Sequence, residues 1–342
     1  MPYIVRSTES KRGKASDYET KALLYLMGGR DDSCEIFSFA IDFFNDVTGL
    51  SVHANKVWDL QSKGNAAKGP KDIGKELVTL FKNYMSDLDF DFLILFMAGV
   101  PDSFRIDNNL NTFGVENIAE RALEKVKKGL EEEATKKTYI EDEWINADNI
   151  TSFLNKVIFV IDDKSKAEYV KSIISLNSRF VPSDEILDGV FNKIRDAQSA
   201  KKNTKSVEGE TISHFRDVIH YDRTIKAQEI RLMVINTLVN RNIVGYGTPQ
   251  FFFPLIQNYD VIEQRKVIED CQLQISLALF DKANSDSFWD LLSVIVEAVK
   301  VHKELGTSEI FSLIADTNAV KSTLMDVLSI QYLISVMKEA LE

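Results

Sequence analysis

The chain has 342 residues, 44% of them hydrophobic and 27% charged, the balance of a soluble globular protein with room for one large domain or two ordinary ones. Its formal net charge of −11 argues against a protein that coats nucleic acid unaided, because affinity for the phosphate backbone comes largely from lysine and arginine. No window approaches the roughly 20 apolar residues that cross a bilayer, and the segment from Met1 to Arg6 lacks the apolar core of a signal peptide, so the expectation is a cytoplasmic protein away from membranes.

Residues 6–14 are basic and polar without apolar periodicity, and read as an arm. Tyr18, Ala22, Leu23, Tyr25, Leu26 and Met27 then form a helical apolar face, with Ser16 or Asp17 as N-cap and Gly28-Gly29 as the stop. Residues 34–44 alternate Phe37, Phe39, Ile41 and Phe43 with Ser38, Ala40, Asp42 and Phe44, a period-two pattern suited to a strand. Residues 45–49 read as a turn or bulge, residues 56–63 as a further strand and residues 64–70 as a glycine-rich polar loop. Ile73, Leu77, Leu80, Phe81 and Tyr84 recur at helical spacing, and residues 92–100 form an apolar run that reads as a buried strand. Helix, strands, helix, strand is the order of a small α/β sandwich.

Within residues 115–137, Ile118, Ala122, Val126 and Leu130 line one face of a solvated amphipathic helix. Residues 157–161 suit one more strand, after which helices are expected over residues 167–176, 184–197, 224–240, 259–279, 287–305 and 321–341, with residues 199–210 as an exposed connection. The expected division is an α/β domain over residues 1–150 and a mainly α-helical domain over residues 151–342. The apolar stretch 327–337 suits either docking to a partner or a packed core. Cys34 and Cys271 show no metal-ligand spacing and read as two buried thiols.

The chemistry concentrates in the first half. Phosphodiester hydrolysis needs an activated water and charge neutralisation at phosphorus, which carboxylate-held Mg2+ supplies. Asp46 follows a strand at a turn, where a side chain can reach a cation without sacrificing core packing. Asp42, four residues earlier, and Glu19, on the preceding helix, are candidate further acids. Asp59, Gln61 and Lys63 alternate, so a strand places all three on one face; an edge strand with its polar face in solvent is the competing reading. Lys56, Lys63, Lys68, Lys71, Lys75 and Lys82 cluster in an otherwise acidic chain, either as a guide for a phosphate backbone or as ordinary surface lysines. His214 and His220 lack zinc spacing, and no phosphate-loop, dinucleotide or nucleophile-elbow fingerprint occurs.

Asp42-x-x-Asn45-Asp46 followed by Gln61-Ser62-Lys63 resembles the PD-(D/E)xK nuclease superfamily. More narrowly it resembles the double-stranded-DNA endonuclease domain of bacterial anti-phage effectors associated with CD-NTase and Lamassu-type systems. The resemblance covers roughly residues 15–160. It implies a restriction-endonuclease-like α/β sandwich, with Asp46 as principal metal ligand, Gln61 at the second-ligand position, Lys63 as the water-activating or phosphate-stabilising lysine and Glu19 as auxiliary acid. The implied cofactor is Mg2+ or Mn2+, with Asp42 as a further acid of the metal site. The implied activity is hydrolysis of double-stranded DNA by the effector of a defence complex, restrained by the helical half and by an SMC-like ATPase or similar sensor, with release or homo-oligomerisation producing activity. The sequence departs from the pattern where Asp42 and Asn45 replace a more typical glutamate and aspartate, and where Gln61 replaces an acid. A neutral amide offers a metal an oxygen but no charge. The alternative is therefore a catalytically inactive scaffold or DNA-binding subunit of the same kind of complex.

Overall fold

A segment apolar at all six positions, Phe92–Met97, needs cover on both sides, and in the computed structural model it lies inside a seven-stranded mixed sheet. The structure describes residues 3–5, 17–64, 69–173, 183–204, 206–238, 247–280 and 285–341. In chain order the first elements are β1 (Tyr3–Ile4), α1 (Asp17–Gly28), β2 (Ile36–Ile41), β3 (Val47–Ser51), β4 (Val57–Lys63), α2 (Pro70–Glu76), α3 (Val78–Tyr84), β5 (Phe92–Met97), β6 (Thr112–Phe113), α4 (Glu120–Ala134), α5 (Ala147–Leu154) and β7 (Val157–Ile161). There follow α6 (Lys166–Ile173), α7 (Asp184–Lys202), β8 (Thr211–Ile212), β9 (Thr224–Lys226), α8 (Ala227–Leu238), α9 (Phe253–Ile256), α10 (Val261–Phe280), α11 (Ser285–Val301), α12 (Thr307–Ile314), α13 (Asn318–Ser322) and α14 (Val327–Leu341).

The sheet order is β6-β7-β5-β4-β3-β2-β9. β4, β5 and β7 run parallel, and the remaining neighbours pair antiparallel. One face carries Leu93, Leu95 and Met97 into a core with Ile73, Leu77, Leu80 and Phe81 from the α2–α3 segment, Val126 and Leu130 from α4, and Phe153 from α5. α1 covers the other face, where its Tyr25 ring lies 5.7 Å from that of Phe96. α2 and α4 cross closely: a Cβ added to Gly129 would lie 2.0 Å from the Lys71 carbonyl oxygen, and one added to Gly74 would lie 2.1 Å from that of Val126. Glycine at both positions lets the helix carrying Lys75 and Glu76 sit directly on α4.

The chain divides into two compact units, Met1–Tyr169 with Asn192–Ala227, and Val170–Phe191 with Gln228–Glu342. The sheet thus runs past the expected boundary at residue 150, because β7 pairs with β5 inside it and β9 pairs with β2 at its edge. The second unit is helical. Its α14 buries Ile330, Tyr332, Leu333, Ile334, Val336 and Met337, so the packed-core reading of residues 327–337 is the one realised. Lys338 is buried too, donating to the carbonyls of Lys303 and Leu305. Among the described residues no helix is long and apolar enough to cross a membrane.

Several local expectations change. Residues 45–49 do not form a simple turn, since Val47–Ser51 is a strand paired on both sides. The helix expected from residue 224 begins only at Ala227, after β9. The helical spacing over residues 73–84 spans two helices that break at Leu77, and α7 continues to Lys202, into the start of the connection expected over residues 199–210. Cys271 is buried, but Cys34 is exposed. The expected arm and most of the loop after Gly64 lie outside the described residues.

Candidate active site

β4 lies between β3 and β5, so its polar face is not an edge turned to solvent. That face meets α3, and exposure grows along it: Asp59 is fully buried, Gln61 is 6% exposed, and the Lys63 side chain is 32% exposed. The β3–β4 register pairs Val47 with Leu60 and Thr48 with Asp59, so continuing it by one residue sets Asp46 opposite Gln61. The side chains meet there. Asp46 Oδ2 accepts the Gln61 amide at 2.9 Å and both the Ser62 N–H and the Ser62 hydroxyl at 2.7 Å. Gln61 Oε1 accepts the Thr79 hydroxyl of α3 at 3.1 Å.

Asp42, Asp46, Gln61 and Lys63 all line one cleft of about 360 Å3, together with Lys75, Glu76, Thr79, Glu133, Lys137, Tyr139, Glu208 and Arg223. The Lys63 ammonium stands 3.0 Å from Glu76 Oε2 at the C-terminus of α2. Asp42 has a left-handed backbone at φ +49°, and Arg223 Nη1 donates to its carbonyl at 2.7 Å and lies 3.3 Å from its carboxylate. The acid nominated as a metal ligand is thus held by a guanidinium. Glu19 does not line the cleft. It sits on α1, 3.3 Å from the ammonium of Lys202.

Of the lysine cluster, Lys63 and Lys75 reach the cleft. Lys56 pairs with Glu35, Lys71 pairs with Glu132, Lys82 lies over the Tyr3 ring, and Lys68 is outside the described residues. Lys75 and Lys137 are themselves paired, with Asp72 at 3.0 Å and Glu133 at 2.8 Å. These hydrogen bonds raise both lysines' pKa values, and the Lys137 bond lowers that of Glu133.

Sequence reading missed Arg223, Tyr139, Glu76 and Thr79 as cleft residues. Glu76, Thr79 and Asn83 fall at helical spacing and form a polar stripe that was available as a signal. Arg223 is paired with a residue 181 positions away, which no local pattern reveals. Tyr139 has a buried phenolic oxygen with no hydrogen-bond partner among the described residues, and burial raises its pKa.

Beneath the cleft, Asp59 accepts Asn45 Nδ2 and Asn83 Nδ2 on Oδ2, the latter at 2.7 Å, and Thr48 Oγ1 on Oδ1 at 2.8 Å. Burial pushes its pKa up from 3.8 to about 6, against those three donors, and the charge of Asp46 adds to the rise.

Among the described residues, no group of three or more His, Cys, Asp or Glu side chains is arranged to hold a metal ion. The donors at Asp46 are of another kind: its carboxylate, the Gln61 amide and the Ser62 carbonyl, which is 3.5 Å from Gln61 Nε2. The two ends of an amide exchange places by rotation, and the Thr79 hydroxyl can serve either end because it both donates and accepts. One carboxylate and two neutral oxygens fit a single hard cation that keeps most of its water, in the manner of Mg2+. They do not suit zinc, which takes nitrogen and sulfur ligands. No family model, curated protein or solved structure matches the chain.

Proposed function

We propose that the chain is a Mg2+-dependent endonuclease that hydrolyses double-stranded DNA, built on a PD-(D/E)xK-type α/β core, and that it acts in the cytoplasm as the effector of a bacterial anti-phage complex. The observation that carries this reading is the convergence of Asp46, Gln61 and Lys63 at one cleft. Mg2+, when bound, supplies charge neutralisation at the phosphate and a more acidic water. Asp46 and, with its amide turned, Gln61 would hold the cation, and Ser62 orients the Asp46 carboxylate with two hydrogen bonds. Lys63 offers its ammonium to a phosphate oxygen or to the attacking water. Its pair with Glu76 is solvent-exposed, a kind of contact worth about 0–1 kcal/mol, so an arriving phosphate displaces the carboxylate at little cost. A sensor subunit such as an SMC-like ATPase, and self-association when active, complete the proposal.

The second reading, an inactive scaffold, draws on Gln61 in an acid's place and on Asp42 engaged by Arg223, which leave the site with one carboxylate charge available for a cation. Incubating supercoiled and linear duplex DNA with the purified chain over a wide concentration range, with Mg2+ or chelator, separates the two. Mg2+-dependent cutting lost in both Asp46→Ala and Lys63→Ala supports the nuclease. No cutting at any concentration, with partner proteins added, supports the scaffold.

A further inference from the structure

We infer that Asp59 is a positioning residue of the proposed site: buried beneath the cleft, it fixes through Asn45 the turn that presents Asp46. The inference rests on the nuclease reading and concerns how that site keeps its geometry. The segment between β2 and β3 is anchored at three places. Phe44 inserts its ring among those of Tyr3, Phe90 and Phe215, at centroid distances of 5.2, 5.4 and 5.5 Å. Arg223 holds the carbonyl of Asp42 at 2.7 Å. Asn45, immediately before Asp46, donates its amide to Asp59 Oδ2.

Asp59 is in turn held from three elements, by Thr48 of β3, by Asn83 of α3 and by its own place on β4. Asn83 carries the chain one step further, since its Oδ1 accepts the Tyr3 hydroxyl of β1 at 2.9 Å. A buried carboxylate is a poor device for stability alone, because apolar residues that replace it together with its partners are often as good or better. What it does well is accept several neutral donors at fixed directions. Here one of those donors belongs to the residue next to the principal metal ligand. Partners behind a metal ligand commonly contribute 10- to 100-fold to metal affinity, roughly.

The variants separate geometry from charge. In Asp59→Asn the amide oxygen can take Asn45 and Asn83 while the amide nitrogen donates to the Thr48 hydroxyl, so all three contacts survive. In Asp59→Leu none does. Mn2+ binding by the full chain without DNA, followed by electron paramagnetic resonance of the free ion at a temperature where each variant is folded, reads the site independently of catalysis. The expected result is a dissociation constant raised about 10-fold or more in Asp59→Leu and within about 5-fold of the parent in Asp59→Asn. Parent-like Mn2+ affinity in folded Asp59→Leu overturns the inference while leaving the nuclease reading intact. Should Asp59→Leu fail to fold, Asn83→Ala decides, since Asn83 lies outside the cleft lining and yet holds Asp59. Weakened Mn2+ binding there supports the inference, and unchanged binding overturns it. No Mn2+ binding by the parent chain with Mn2+ taken to several millimolar, where weak binding by one carboxylate still registers, and with Asp46→Ala indistinguishable from it, overturns the nuclease reading and this inference together.

Discussion

Asp59→Asn should make the sheet unit more stable at neutral pH and only slightly more stable at pH 4. The Asp59 carboxyl is fully buried, and its pKa is raised from 3.8 to about 6. A native-state value above the unfolded one means that the folded chain binds the proton more tightly. The stability this contributes is fully present below about pH 3.8 and is lost as pH rises through about 6. The difference, 6 − 3.8, is about 2.2 units, which at about 1.36 kcal/mol per unit costs the native state about 3 kcal/mol at neutral pH. Asparagine keeps the three hydrogen bonds and has no charge to bury. The measurement is urea unfolding followed by tryptophan fluorescence across pH 4 to 7.5, with Trp289→Phe in both chains so that Trp58 and Trp144 of the sheet unit report. The stability difference between variant and parent should grow by about 2.4 kcal/mol over that interval, since about 0.6 of the 3 kcal/mol is already present at pH 4. A difference that stays flat with pH refutes the reasoning, because it means that Asp59 carries the same protonation in the folded and unfolded chains.

Two further outcomes follow from the packing and charge of the same unit and of its helical companion. Gly129→Ala should cost about 1–3 kcal/mol despite alanine's better helix propensity, because its Cβ meets the rigid Lys71 carbonyl, whereas Gly189→Ala on α7, with nothing within 4 Å, should gain about 0.5–1 kcal/mol; thermal melts of both variants check the opposite signs. Glu76→Gln should tighten duplex DNA binding about 2- to 5-fold in chelator, measured by fluorescence anisotropy, because the cleft lining counts four cations (Lys63, Lys75, Lys137, Arg223) against five acids (Asp42, Asp46, Glu76, Glu133, Glu208) and the change removes the acid 3.0 Å from the Lys63 ammonium; unchanged affinity there counts against this cleft as the DNA site.

What the sequence made legible was the part written in local periodicity. β4 shows its polar face in Asp59, Gln61 and Lys63 because alternate residues share a side, and β5 shows its double cover as an unbroken apolar run. β3 stayed hidden because Asn45, Asp46, Thr48 and Gly49 have the composition of a turn. In the fold Gly49 is in a strand, where a Cβ would press within 3.1 Å of the Ile36 side chain. β9 has the sequence of a helix start, since three residues, Thr224–Lys226, carry no period of their own and owe their conformation to β2. Asp46, Gln61 and Lys63 were found in the sequence and do meet at one cleft. Asp42 reached the same cleft in the grip of Arg223, and Glu19 went with α1 to Lys202. Both outcomes depend on residues 180 or so positions away, which pattern within a segment cannot anticipate.

The electrostatics of the cleft bear on how the proposed nuclease would be restrained. Lys63, Lys75, Lys137 and Arg223 each face an acid, respectively Glu76, Asp72, Glu133 and Asp42, in a chain of net charge −11. A duplex approaching the isolated chain must displace those acids one by one while it is repelled by the whole, so intrinsic affinity for DNA is expected to be low. The site's single available carboxylate charge points the same way for the cation, since Mg2+ held by one acid relies on substrate phosphate to complete its binding. On the proposed reading, metal and duplex would then favour each other's binding, and each alone would be held weakly. Raising the local concentration of duplex, by self-association or by a partner that itself grips DNA, multiplies occupancy without any new contact in the cleft. Restraint in the proposed complex therefore needs no plug over Lys63: keeping the chain apart from DNA-bound partners is sufficient, and assembly supplies the affinity that the cleft lacks.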